Sequence, residues 1–202
     1  MGRTLLGIIL GVLLTPLAVM GWFHWGHPPV AVADKPLPFE RQITHVALGA
    51  RIDREMPATS QMQTSEDNFL AGAEIYRDDC AACHGFYGKP SVFAKHMFPS
   101  TPQLWEAHRN GSVVGVSDDP PGETFWKVDN GIRLSGMPGF HEVLTATQIW
   151  QVSLLLANAD KPLPPEVLQI VRGERETAAT TAPASQKAVS AAPAQPARTV
   201  TK

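Results

Sequence analysis

Every periodic segment of this sequence reads as helix, so the predicted fold class is all-α. Two stretches carry that reading and a third sets their surroundings. Phe69, Leu70, Ala73 and Tyr76 form an apolar stripe at helical spacing that runs straight into Cys80. Ile149, Val152, Leu155 and Leu156 form a second stripe, the strongest amphipathic pattern in the chain. Ahead of both lies Leu5 to Phe23, nineteen residues without a charge. A run of that length reads as a transmembrane helix, whereas a signal-peptide core usually spans about 7–15 residues.

Residues 1–23 are therefore expected to be a membrane anchor, with Trp22, Phe23 and Trp25 where it would leave the bilayer. Pro16 interrupts the helix, and Ala31-Val32-Ala33 resembles a small-residue cleavage site. That site, however, lies about ten residues past the apolar run, which is far for a signal peptide. Arg3 on the short N-terminal side favours keeping that end in the cytoplasm and exporting the rest. The alternative is a soluble mature chain starting at Asp34.

Residues 24–64 read as a connector. His24 and His27, set among Gly26, Pro28 and Pro29, lack a third ligand and read as solvated interface residues. Phe39, Ile43, Val46, Ala47 and Ala50 then give a helical period up to Arg54. Such a helix either braces the following domain against the membrane or packs on it. His45 reads as a surface histidine.

The folded domain is expected over 65–165. Thr64 and Asp67 stand at capping-box spacing before the first stripe. Gly72 in that helix is costly unless something packs closely there, and the last helix is the expected visitor. Residues 85–101 read as loop, Thr101 to about Asn110 as a short helix, and Glu123 to Asp129 as another with Phe125, Trp126 and Val128 inward. Thr145 and Gln148 form a capping box at the start of the final helix, and Pro162, Pro164 and Pro165 stop it. Residues 166–202 are expected to form a disordered Ala/Pro/Thr-rich tail.

Between the two strong helices sits Cys80-Ala81-Ala82-Cys83-His84. The pattern C-x-x-C-H is the attachment signature of a c-type haem. Two thiols three residues apart can form thioethers along one porphyrin edge, and the next residue offers an imidazole to the iron. A tetrahedral zinc site needs four ligands, and the chain has two cysteines and no second closely spaced Cys/His pair. A redox dithiol should open a helix, where the dipole lowers the thiol pKa, and this one closes a helical pattern.

The second candidate stretch is Gly131-Ile132-Arg133-Leu134-Ser135-Gly136-Met137-Pro138-Gly139-Phe140. A methionine between Gly136 and Pro138 has little conformational freedom, and such a loop can hold a thioether against iron. A lone methionine is more often a gap-filling core residue. Burying this loop would nonetheless require its polar backbone to be satisfied, and ligation gives a reason to do so. His96, Met97, His108 and His141 are the rival ligands.

In order, these residues resemble the class I cytochrome c family over roughly 65–160. The segment Gly-Met-Pro lies 53 residues beyond His84 and is followed by Thr-x-x-Gln-Ile-Trp-Gln-Val. The resemblance implies the class I cytochrome c fold, all-helical, around one covalent haem c, with first and last helices crossing near Gly72 and Tyr76 on one side and Trp150 and Val152 on the other. It implies attachment through Cys80 and Cys83, axial ligation of iron by His84 and Met137, and placement on the outer, periplasmic face of the membrane.

The expected function is one-electron transfer by a single-haem carrier with no catalytic residues, its partners being redox proteins of a respiratory or similar membrane chain. Two alternatives stand beside it. One is the haem-bearing subunit of a larger membrane dehydrogenase or oxidase, and the other is a haem enzyme or sensor with an open or labile sixth ligand. A net charge of −2 and a pI near 6.4 give no footprint for nucleic acid. Residues 65–170 carry seven Lys/Arg against thirteen Asp/Glu, while 171–202 carry five against two, so an acidic body precedes a basic tail.

Overall fold

The computed structural model describes residues 1–58, 60, 62–108, 111 and 113–174. Among them the regular structure is helical, and extended pairing is confined to the isolated bridges Phe86–Lys89 and Ala107–Val114. Seven α-helices follow in order: α1 Gly2–Trp25, α2 Glu40–Glu55, α3 Glu66–Ile75, α4 Ala81–His84, α5 Pro121–Asn130, α6 Ala146–Leu156 and α7 Pro165–Val171.

No residue of α1 is buried, although most of its side chains are apolar. Its 24 residues rise about 36 Å, enough to cross a hydrocarbon core of about 30 Å. α3 begins one residue later than the Thr64 cap anticipates, because the Ser65 hydroxyl accepts from the Asn68 N–H at 3.3 Å. α3 and α6 cross as expected. A Cβ on Gly72 would lie 2.5 Å from the Gln151 carbonyl oxygen, so only glycine lets the two backbones approach this closely. Ala73, Tyr76, Val152 and Leu155 seal the crossing with no exposed surface. The Thr145–Gln148 capping box forms in both directions, at 3.3 and 2.9 Å.

Two expectations fail. The helix anticipated from Thr101 toward Asn110 does not form: Leu104 and Trp105 are buried in a turn. The chain then doubles back, with His108 N–H donating to the Val113 carbonyl and Gly115 N–H to that of Glu106. Among the described residues of this stretch the buried side chains are the adjacent Leu104 and Trp105, and that favours a turn over an amphipathic helix. Residues 109 and 110 of that expectation lie outside the described residues.

The tail also begins later than residue 166. Pro165 stands at the first position of α7, where its missing N–H costs nothing and its fixed φ suits a helix. Val167, Ile170 and Val171 are completely buried, and α7 packs against α3. Residues 175–202 of the expected tail lie outside the described residues.

The connector helix packs on the domain through its C-terminal end. Ile52 is buried, and the Trp126 indole N–H of α5 donates to the Glu55 carboxylate at 3.0 Å. The Arg51 guanidinium, 3.0 Å from the same carboxylate, also lies 5.8 Å above the Trp126 ring. Gly122 of α5 meets the Pro57 carbonyl so closely that no side chain would fit between them.

Candidate haem-binding site

α3 ends in a wide π-type turn, Tyr76–Cys80, which hands the chain to α4. The turn and α4 together present Cys80, Cys83 and His84. Tyr76 is the buried post beneath them. Its hydroxyl donates to the Gly85 carbonyl at 2.6 Å, tying the two ends of the motif together, and its ring meets Trp105 edge-on at 5.6 Å. Burial pushes the Tyr76 phenol far above its usual range, so it remains a donor.

The loop after the motif is stapled back onto it. Ser91 donates its hydroxyl to the Ala82 carbonyl at 2.6 Å. Gln103 donates to the carbonyls of Cys83 and Thr101, at 3.3 and 3.2 Å, and accepts from the Ser91 N–H at 2.6 Å. Gly85, at φ 76, packs so closely on the Gln103 amide that a Cβ would lie 2.5 Å from its oxygen. Leu104 N–H reaches back to the His84 carbonyl at 3.3 Å.

This stapling carries the Pro102 carbonyl to His84, whose Nδ1–H donates to it at 2.8 Å. A proton held on Nδ1 leaves the Nε2 lone pair for a metal, and the bond fixes the ring's orientation. Burial lowers the His84 pKa below the usual histidine value, outweighing the opposite effect of the Pro102 bond, and favours the neutral ring that a ligand must be. Burial also pushes the Cys80 thiol up to about 12, with Asp79 and Cys83 adding to it. A redox dithiol needs the opposite shift.

The Met137 loop is satisfied within itself. Ile132 N–H donates to the Met137 carbonyl at 3.1 Å, the Ser135 hydroxyl donates to the Ile132 carbonyl at 2.6 Å, and Met137 N–H donates to the Ser135 oxygen at 3.1 Å. Gly131, at φ 69, lies against the Pro138–Gly139 backbone. The Met137 side chain is half-buried beside Val128, Leu144 and Ile149. Ile75, immediately before the wide turn, packs against this cluster and also against the one that includes Cys80. Ile75 thus packs against both clusters, the one that Cys80 borders and the one that Met137 borders.

Met97 lies at the same loop. Its methyl group occupies the space beside Gly136, and its sulfur accepts from the Thr101 hydroxyl at 3.0 Å. His96 and His108 are exposed. His141 is exposed as well, with Nδ1 at 3.2 Å from the Asp129 carbonyl and Nε2 at 3.0 Å from Glu142. Sequence reasoning missed the positioning roles of Tyr76, Ser91, Pro102 and Gln103. Pro102-Gln103 signalled only a helix start, and a carbonyl donor-partner leaves no mark on residue type.

The donor set suits a covalent haem: two thiols on one turn, an imidazole with a free Nε2, and a thioether in a self-satisfied loop. Residues 67–154 match the family model described as cytochrome C oxidase, cbb3-type, subunit III. That span contains both the cysteine motif and the Met137 loop and covers less than half of the 202 residues. A comparison with curated proteins finds no match.

Proposed function

We propose, from the premise that residues 67–154 form a c-type cytochrome domain of the haem c-binding, electron-transferring kind, that this chain is a membrane-tethered one-electron carrier. Its haem domain works on the outer, periplasmic face, and its partners are redox proteins of a membrane chain. Cys80 and Cys83 would hold haem c through two thioethers, and His84 and Met137 would offer its iron an imidazole and a thioether. The observation that carries the reading is the His84 ring, fixed by Pro102 on the same turn as the two thiols.

Haem c supplies a reversible ferric/ferrous couple, which a thioether ligand shifts toward the ferrous side. The protein's part is to hold and orient. Tyr76, Ser91 and Gln103 fix the turn that carries the thiols, and the Nδ1–H of His84 stays on the Pro102 carbonyl, so the imidazole keeps one tautomer in both oxidation states. Ser135 and Ile132 hold the Met137 backbone. With both His84 and Met137 on the iron no place would be left for substrate, which is why a carrier is favoured over a haem enzyme or sensor.

The test is covalent attachment. On denaturing electrophoresis, haem stain should travel with the wild-type chain and be largely lost from Cys83→Ala. Haem that extracts freely into acidified organic solvent would overturn the assignment. A second reading, a haem-bearing subunit of an oxidase, is favoured by the description of the matching family. Co-purification with a terminal oxidase under mild detergent would select it.

A further inference from the structure

α2 carries two apolar faces. Leu48 and Ile52 turn toward α5, which Ile52 meets with 2% of its surface exposed. At 3.6 residues per turn, Ile43, Val46, Ala47 and Ala50 fall on the opposite side, joined by Arg54 in the last turn, and Phe39 caps the helix ahead of them. Phe39, Ile43 and Val46 are 71%, 66% and 71% exposed. Among the described residues the stripe therefore joins neither core cluster, and the packing of Trp126 on Glu55 directs it away from the haem domain.

The connector fixes where this face begins. Asp34 accepts from the Val30 and Ala31 N–H groups at 2.9 and 2.8 Å, and Glu40 accepts from the Leu37 N–H at 2.8 Å, so residues 30–40 are folded on themselves. Trp22 and Gly26, at the end of α1, share a cavity with Asp34, Lys35 and Leu37. Residues 34–37, just ahead of α2, thus lie near the aromatic end of the apolar helix.

We propose that the outer face of α2 lies in the lipid interface of the membrane that α1 spans, with Phe39, Ile43 and Val46 among the acyl chains and the haem domain seated on the other side of α2. This rests on reading α1 as an anchor. The occupant follows from size and continuity. A stable protein partner requires about 800 Å² from each side, with complementary shape. Phe39, Ile43, Val46 and two alanines on one convex helix offer far less. A lipid surface demands no shape complementarity, and α1 keeps it permanently within reach. The consequence is orientation: the haem domain meets membrane-bound partners in one pose.

The test uses the full-length holoprotein in vesicles of phosphatidylcholine and phosphatidylglycerol. Cys80 and Cys83 are blocked as thioethers there, so a single introduced thiol takes a nitroxide label. Labels at Val46→Cys, Thr44→Cys and Leu13→Cys are compared for collision with oxygen, which concentrates in lipid, and with a nickel chelate, which stays in water. The Val46 label should favour oxygen several-fold over the Thr44 label and approach the Leu13 label. A Val46 label as open to nickel as Thr44, while Leu13 remains shielded, overturns the docking and leaves the anchor standing. A Val46 label shielded from both probes signals contact between protein copies and overturns it equally. If Leu13 is open to nickel, the anchor reading fails and the docking falls with it.

Discussion

Pro102 offers only a carbonyl oxygen, yet that oxygen sets which nitrogen of His84 is free. It lies eighteen positions away, and its type says nothing of the role. The four residues proposed to hold the haem stand out in the sequence because their chemistry is local: a spacing for Cys80, Cys83 and His84, and a Gly-Met-Pro frame for Met137. Their supports act through backbone carbonyls and one amide, which only the folded chain brings together. Replacing Tyr76 with Phe leaves the Gly85 carbonyl buried without its donor, and should cost about 1–3 kcal/mol in denaturant unfolding of the holoprotein. Met137→Ala should keep the haem attached, open the sixth position to carbon monoxide and lower the reduction potential, read by spectral titration. Met97→Ala should leave that position closed, because the Met97 sulfur accepts a hydrogen bond from Thr101 and its methyl merely backs Gly136.

At the scale of elements, the α3–α6 crossing was readable from one glycine that had no other excuse. Gly72→Ala would press a methyl against the Gln151 carbonyl, an overpacking cost of about 1–3 kcal/mol, measurable by thermal or denaturant unfolding. α7 was hidden because Pro162, Pro164 and Pro165 signal an end, and the last of them is also a good beginning. Ile170→Ala should destabilise the domain by about 2–5 kcal/mol, more than any surface change in a disordered tail could.

The α2–α5 contact has a pH signature. Glu55 is held below the usual carboxylate range, first by its hydrogen bond with Arg51 and then by the Trp126 N–H. A depressed folded-state value means the contribution is present above the unfolded carboxylate range and is lost as pH falls through the folded value. Protection factors across residues 48–56, taken against the intrinsic exchange rate at each pH, should therefore fall as the pH drops through and below the usual glutamate range, and Glu55→Gln should remove most of that dependence.

Taken whole, the molecule joins an apolar helix of spanning length to a c-type cytochrome domain through a connector whose helix α2 packs by its C-terminal end on α5. If α1 remains attached, cell fractionation should leave the protein in membranes, released by detergent but not by carbonate, with Met1 intact by mass spectrometry. A mature chain starting at Asp34 in the soluble fraction would contradict the anchor and leave the haem assignment untouched. The central claim, a one-electron carrier with iron between His84 and Met137, is tested most directly by a spectrally monitored redox titration of the detergent-extracted full-length protein beside Met137→Ala. The account predicts a single one-electron wave in the wild type, with an iron–thioether charge-transfer band at the red edge of the oxidised spectrum that vanishes in Met137→Ala. A high-spin or bis-histidine oxidised spectrum in the wild type, or a band that survives loss of Met137, would contradict it.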